Sequence, residues 1–580
     1  MPLPMEPKTL MNQPAPEVTH LLELPDRMVS QIRWVALVLG TLAIALSLLG
    51  TRFGWLDYKP GGAAFDVSVR PIFTVFFGVA FVVALRWELV GGVLAAFAAA
   101  ALIAFATNQL VASHAVVVVA ALAAPGALWL IYAASQVSAR AAGIGLAVSL
   151  VAAAAGYFTG YLVYDYYWGP THPESVEPPL PDSALEWIWA GAVTADSAEI
   201  RATPGRDFTT ARIAVSEDVG LGSARWFDAR DISGRVIGFD LTELAPDTRY
   251  HYAVELDGEL DTVRAGTFRT FPTGPVSYVV AIGACARVGS NGAVFDSIRQ
   301  ADPLLYLIAG DLHYGDNGRN DIVRYQEVMD LTLSMPAQSA LYRSTAIAYM
   351  WDDHDYGGND ADGSSPSRRA AMAAYREYVP SYDLSGDETA VYQAFSAGRV
   401  RYILTDARSA RNLDNDENED APSMLGFEQK EWFKNEILAA SQTHELVVWL
   451  NPVPWIATAQ DGADHWGGYA VERAELANHI ANNNIDNLLM VSGDAHMVAV
   501  DDGTNTNYSD TPGPGFPLFN AAALDRLGSI KGGPYSEGTV PGGGHYGTLE
   551  IEDSGDSITA TITGFTWDNR TLMEYSFSTP

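Results

Sequence analysis

Six short apolar runs in the C-terminal half set the tightest limit on the fold: Ser277 to Ile282, Leu304 to Ala309, Ala346 to Met350, Val400 to Leu404, Glu445 to Leu450 and Asn487 to Ser492. Each has the length of a buried strand, and helical stretches such as Gly292 to Gln300 and Phe427 to Ala440 separate several of them. That alternation predicts a layered α/β domain. Behind the runs stand, in order, Cys285; Asp311 and Tyr314; Asp352, Asp353 and His354; Asp406 and Arg408; Asn451; and Asp494 and His496. A polar residue after one strand is ordinary turn chemistry. Six such sets in register at strand carboxyl ends, where open α/β sheets collect ligands, predict a site.

The residue types point to two metals that activate water between them. Asp311 is the natural bridging carboxylate, because one carboxylate shares its oxygens between ions about 3.5 to 4 Å apart. Cys285 and Tyr314 offer anionic, polarisable donors for a trivalent or thiophilic ion, whereas the oxygens of Asp353 and Asn451 suit a harder divalent one. Asp494 and His496, two apart, can address one cluster. His354 can protonate a leaving oxygen, and Arg408 offers a bidentate fork to a phosphoryl group. The net charge of -34 opposes a protein that grips nucleic acid by neutralising phosphates.

Four motifs, Gly310-Asp311-Leu312-His313-Tyr314, Trp351-Asp352-Asp353-His354-Asp355, Leu404-Thr405-Asp406-Ala407-Arg408 with Arg411, and Gly493-Asp494-Ala495-His496, together resemble the PhoD-like alkaline phosphatases, a branch of the calcineurin-like metallophosphoesterases. The resemblance covers about Ser183 to the C-terminus. It implies a four-layer α/β/β/α fold, hydrolysis of phosphate mono- or diesters by a metal-activated hydroxide, and two or more metal ions, Fe3+ and Ca2+. Carried over by position, Cys285, Asp311, Tyr314, Asp353, Asp494 and His496 are the expected metal ligands, with Asn451 on the thinner match Leu450-Asn451-Pro452. His354 and Arg408 are expected to handle the phosphoryl group, with Asp311 at the catalytic centre. The cysteine stands in Ala284-Cys285-Ala286-Arg287, without the polar neighbours common in the family. A surface receptor for phosphorylated polymers is the alternative, and the complete donor set favours the enzyme.

Ahead of this part the composition changes. The chain is 48% hydrophobic and 18% charged, and five apolar segments carry the excess: Trp34 to Leu49, Pro71 to Leu85, Leu89 to Ala106, Ala115 to Ala134 and Ala141 to Tyr161. Each is near the roughly 17 to 25 residues that cross a bilayer, so residues 34–163 are expected to form a helical membrane bundle behind a cytoplasmic tail, 1–33. Lys8, Arg27, Arg33, Arg86 and Arg140 would lie inside against Arg52, Lys59 and Arg70 outside, a weak positive-inside bias. Five spans then place the C-terminal bulk outside the cytoplasm, in contact with phosphate-ester substrate there. The family pattern is a secreted enzyme without such spans. The single cysteine, Cys285, allows no disulfide within the chain.

Residues 164–182, with Pro170, Pro173, Pro178, Pro179 and Pro181, read as a stiff linker. Residues 183–273 alternate in the strand period, and Leu244-Ala245-Pro246-Asp247-Thr248-Arg249-Tyr250 is similar to the corner of fibronectin type III domains; a β-sandwich of about seven strands is expected. Residues 274–580 form the expected catalytic domain. Its acidic loops Asp414 to Asp420 and Asp501 to Asp510 read as solvated surface, its Gly-rich segment Gly532 to Gly547 as linkage or a gating loop, and its closing strands, Gly547 to Ile551 and Ile558 to Phe565, as sheet edge.

Overall fold

The computed structural model describes residues 24–49, 75–168 apart from 77, 81, 84–85, 110–123, 129–130 and 133–134, and 181–579 apart from 231–233, 387–389, 413–421 and 527. The chain divides into two units, Met1–Tyr58 with Ala63–Leu162, and Lys59–Gly62 with Val163–Pro580.

The first unit contains helices α1 (Asp26–Leu49), α2 (Glu88–Gln109) and α3 (Ala139–Trp168). Gly156 and Gly160 let α3 lie directly on α2: a Cβ at Gly156 would sit 2.2 Å from the Phe97 carbonyl oxygen, and one at Gly160 3.0 Å from that of Ala101. Small residues at such a crossing let the two helix backbones approach closely. Among the described residues one stretch, Ala139–Gly160, is long and apolar enough to cross a membrane, and Val90–Ala104 is a shorter apolar helix. The expected segments Pro71 to Leu85 and Ala115 to Ala134 fall partly outside the described residues, and the acidic loop Asp414 to Asp420 lies wholly outside them.

The second unit begins with eight strands: β1 (Leu185–Gly191), β2 (Ala198–Pro204), β3 (Ala211–Ser216), β4 (Arg225–Asp228), β5 (Ile237–Leu241), β6 (Arg249–Leu256), β7 (Glu259–Leu260) and β8 (Gly266–Arg269). β1, β2 and β5 lie in one sheet, and β3, β4, β6, β7 and β8 form the other. The corner motif closes as the sequence suggests, with the Tyr250 hydroxyl accepting from the Ala245 amide at 2.9 Å. The sandwich is not a separate body, however. β1 pairs in parallel with β11 (Ala346–Met350), Ala190 opposite Ala346, so one sandwich sheet continues the main sheet of the following domain. Two tryptophans fasten this junction: Trp187 Nε1 donates to Asp330 Oδ1 and Trp189 Nε1 to the Tyr378 carbonyl, both at 2.9 Å. A Cβ on Gly191 would meet the Ile347 and Pro380 carbonyl oxygens at 2.8 and 2.7 Å.

The main sheet runs through β9 (Tyr278–Gly283), β10 (Leu305–Ala309) and β11, all parallel, and is extended beyond β9 by β19 (His545–Asp553), β20 (Ile558–Thr566) and β21 (Thr571–Ser578). β19 and β20 are therefore interior strands, and β21 forms the edge. The second sheet contains β12 (Gln393–Ala397), β13 (Val400–Leu404), β14 (Leu446–Leu450), β15 (Leu488–Ser492), β16 (Met497–Asp501), β17 (Leu518–Ala521) and β18 (Gly538–Pro541), with β13, β14, β15 and β17 parallel. Their continuous apolar runs are buried on both faces, as parallel strands between helices require.

The two sheets pack face to face through glycines. A Cβ on Gly547 of β19 would lie 2.4 Å from the Phe519 ring of β17, and one on Gly564 of β20 would lie 2.3 Å from Val498 of β16. Helices α4 (Ala293–Gln300), α5 (Ile322–Ser334), α6 (Pro336–Tyr342) and α8 (Arg368–Tyr378) cover the first sheet, α9 (Gly426–Thr443) and α10 (Ala470–Asn482) cover the second, and α7 (Asp353–Tyr356) is a single turn at the end of β11. The layers are helix, sheet, sheet, helix, and the parallel strands of both sheets end at one edge.

Candidate metal centre

At that edge the backbone itself is unusual. Cys285, Asp311, Asp494 and His496 all hold positive φ, at 64°, 53°, 58° and 50°. Non-glycine residues rarely adopt this region, and they persist there when the surroundings over-determine them. The preceding glycines make the tight turns possible: a Cβ on Gly310 would meet that of Asp352 at 2.7 Å, and one on Gly493 would meet the Ala309 carbonyl oxygen at 2.1 Å.

These turns gather donors from both sheets. Cys285, Asp311 and His496 place their ligand atoms within 4.8 Å of one another, and so do Asp311, Asp353 and His354. Asp311 belongs to both groups. A third group, Asp353, Asp360 and Asp464, meets the same criterion and shares Asp353. Tyr314 joins the first group through its hydroxyl, 2.8 Å from His496 Nε2. Its ring stacks on His354, centroids 3.9 Å apart, and the Arg526 guanidinium lies 3.8 Å over it.

The donor set fits bound cations. Five carboxylate oxygens here are buried without a hydrogen-bond partner: both of Asp311, Asp352 Oδ2, Asp353 Oδ1 and Asp494 Oδ2. For two of these acids, burial favours the protonated form. Burial, reinforced by Asp353, Asp352 and Asp355 against the pull of His354, lifts the Asp311 carboxyl far above its usual range, and burial lifts Asp352 to about 8. The Cys285 thiol rises for the same reasons, burial first and then the Asp311 and Asp494 carboxylates. A multivalent cation replaces those protons and supplies the missing charge.

His354 behaves differently. Burial works against its imidazolium, but Asp353, Asp311 and Asp316 outweigh it and hold the pKa at about 10. Nδ1 is in short contact with Asp316 Oδ1, leaving Nε2 as the other ring donor.

Two sequence expectations land elsewhere. The Arg408 guanidinium is wholly buried and spent on carboxylates, with Nε to Asp352 Oδ1 at 2.5 Å and the two terminal nitrogens to Asp464 at 2.7 and 2.9 Å. It has no face left for a phosphoryl group. Asn451 is likewise committed: Nδ2 donates to Thr405 Oγ1 at 2.8 Å, and Oδ1 accepts from the Trp466 indole at 3.0 Å and the Val453 amide at 3.3 Å. Asp406 is also structural, accepting from the Trp351 indole and from the Arg408, Ser409 and Val391 amides.

Residues 281–525, which span every donor from Cys285 to His496, match the family model described as PhoD-like phosphatase. This segment is similar to a PhoD-like phosphatase domain. Alkaline phosphatase D of Bacillus subtilis (strain 168) is 29% identical over 177 residues, covering 25% of this chain and 30% of that protein. An uncharacterized protein of Mycobacterium tuberculosis (strain H37Rv) is 29% identical over 262 residues, covering 40% of this chain and 45% of its own. The chain thus spans less than half the length of the curated relatives it matches. Among solved structures, one titled as PhoD superposes with a TM-score of 0.53 at 15% identity, over 68% of this chain and 93% of that one. A purple acid phosphatase from yellow lupin seeds gives 0.50 at 14%, over 70% and 75%. These two show the fold.

Several residues of the site lie beyond the donor set expected from the sequence. Asp355 accepts from the Leu312, His313 and Asp352 amides at 3.2, 3.0 and 3.1 Å, locking the β10 and β11 turns together. Asp316 lies two residues after Tyr314, an acid visible beside a motif residue, whereas Asp464 stands in the polar run Asp461-Gly462-Ala463-Asp464-His465, away from every motif. Lys531, bonded to Asp494 Oδ1 at 2.5 Å, directly precedes the Gly-rich segment.

Proposed function

We propose that the chain is a metal-dependent phosphoesterase, with residues 274–580 as its catalytic part. The observation that carries this reading is Asp311: both of its carboxylate oxygens are buried without a donor, and it is shared by two donor groups at the ends of facing sheets. When bound, a metal pair supplies Lewis-acid activation of water and of a phosphoryl oxygen.

The chain's own residues would divide the work. Cys285, Tyr314 and His496, with Asp494, offer the softer and anionic donors that suit Fe3+; Asp353 with Asp360 and Asp464 offers carboxylate oxygens that suit Ca2+ or another hard ion. Asp311 would bind to both. His354, its Nδ1 engaged by Asp316, holds a proton on Nε2 for the leaving oxygen of an ester. Arg408 acts behind the site, keeping the acids of the β11 turn in place.

Elemental analysis of the purified full-length protein, beside hydrolysis of a chromogenic monoester and diester, tests the reading. Two metals per chain and turnover abolished by chelator are expected. Folded protein that takes up no metal under any supply would overturn it.

We also infer that residues 34–163 anchor the chain in a bilayer through five spans, with the N-terminus cytoplasmic and the catalytic part outside the cytoplasm. What supports this is the length of Ala139–Gly160 and the outward apolar side chains of α3, where Leu150, Val151 and Phe158 are 63%, 69% and 65% exposed; a soluble helix would bury such residues. The protein should resist alkaline carbonate extraction from membranes, and protease added outside intact cells should reach residues 181–580. Release by carbonate would defeat the anchor.

A further inference from the structure

In the phosphoesterase reading the metals and the His354 imidazolium meet part of the substrate's charge, but the arginine expected to hold the phosphoryl group is buried and spent. Among the described residues of the site, Arg408 and Arg411 are both turned onto Asp464, and Arg526 lies over the Tyr314 ring. Lys531 is different: its side chain is 40% exposed, and it holds one carboxylate oxygen, Asp494 Oδ1. An ammonium carries three N–H donors, so this contact leaves two for an incoming anion.

Lys531 is also firmly placed. The loop from β17 to β18 is pinned on both sides of it, first to the turns that carry Cys285 and His496 and then to the loop after β14. Before it, the Leu524 amide donates to the Ala284 carbonyl at 2.9 Å, the Ser529 amide to that of His496 at 3.1 Å, and the Ser529 hydroxyl to that of Ala495 at 2.9 Å. After it, the Gly533 amide donates to the Ile456 carbonyl at 2.8 Å, and the Tyr535 hydroxyl returns to the Lys531 carbonyl at 3.2 Å. Gly532, at φ +72°, allows the close approach: a Cβ there would sit 2.1 Å from the Ile456 carbonyl oxygen. The ammonium also feels the charges of Asp353 and Asp464.

We infer that Lys531 is the phosphoryl-binding cation of this site, donating from Nζ to a non-bridging oxygen of the substrate while Asp494 holds its other side. The inference rests on the phosphoesterase reading, and one experiment separates the two. Full-length wild type, K531M and K531R, loaded with metal, are compared for metal content, for kcat and KM on a chromogenic monoester and diester, and for the thermal shift produced by inorganic phosphate. K531M should keep its metals, raise KM and weaken phosphate binding by about 10- to 100-fold, the size expected for a lost charged hydrogen bond. K531R, which keeps the charge, should recover most of the phosphate-dependent shift. Wild type without turnover would defeat the phosphoesterase reading, while the phosphate shift, read without turnover, would still decide on Lys531. Unchanged phosphate affinity in K531M overturns the inference, and unchanged affinity together with tighter metal binding would assign Lys531 instead to masking Asp494.

Discussion

Arg408 and Asp464 form a bidentate pair, 2.7 and 2.9 Å, in which the arginine is wholly buried and the acid comes from a loop far along the chain. The same guanidinium holds Asp352 through Nε, so one cation ties the β11 turn to the loop after β14. Burial opposes the carboxylate of Asp464, yet Arg408 and Arg411 hold its pKa well below the usual range.

Removing that cation takes the ion-pair partner from Asp352 and leaves Asp464 with Arg411 alone. R408A is expected to destabilise the fold by about 3–5 kcal/mol and to lower metal content, and R408K to rescue neither, because an ammonium cannot reproduce the planar fork. Urea unfolding and elemental analysis check this. A variant with unchanged stability and only a raised KM would return Arg408 to the substrate.

Asp311 should show the opposite balance. D311N replaces a buried carboxylate that has no donor on either oxygen with a neutral amide of the same shape. Metal-free D311N is expected to be more stable than metal-free wild type, by roughly 1 kcal/mol, while metal uptake and turnover are lost. A less stable metal-free variant would mean that the charge is satisfied within the fold.

The contrast marks what the sequence makes legible. Strand-end chemistry was readable at Cys285, Asp311, Tyr314, Asp353, Asp494 and His496, because a short apolar run fixes where a strand ends and the fold brings those ends together. Arg408 and Asn451 carry the same sequence signal, but their side chains turn inward, and only the partners Asp464, Thr405 and Trp466 reveal it. Lys531 was invisible for the reverse reason: it follows no strand and reaches the site through a loop. The sandwich was legible strand by strand, but its sheet's fusion to β11 was not, since parallel pairing of Ala190 with Ala346 leaves no local trace.

Glycines between the sheets give a structural prediction remote from the donors. A Cβ at Gly564 would lie 2.3 Å from Val498 Cγ1 and 3.3 Å from its Cβ, on strands that cannot easily part. G564A should destabilise by roughly 1–3 kcal/mol through overpacking, measured by urea unfolding with tryptophan fluorescence. Wild-type stability in G564A would show that the sheets slide to make room.

His545 gives the fold a pH limit on its acid side. Burial, aided by the Arg570 charge, depresses its pKa from 6.5 to about 4, and its Nδ1 is buried without a partner. The folded state therefore keeps the ring neutral where the unfolded chain, with a pKa near 6.5, already binds a proton. Stability from this group is fully present above about 6.5, falls as pH drops, and stops falling below about 4, where the folded protein takes up the proton too. The full loss is about 3 kcal/mol. Other carboxylates also titrate in this range, so the test is a difference: the fall in stability between pH 7.5 and pH 5 should be about 2 kcal/mol smaller in H545Q than in wild type. Equal falls in the two proteins would show that His545 accepts its proton without opening the fold.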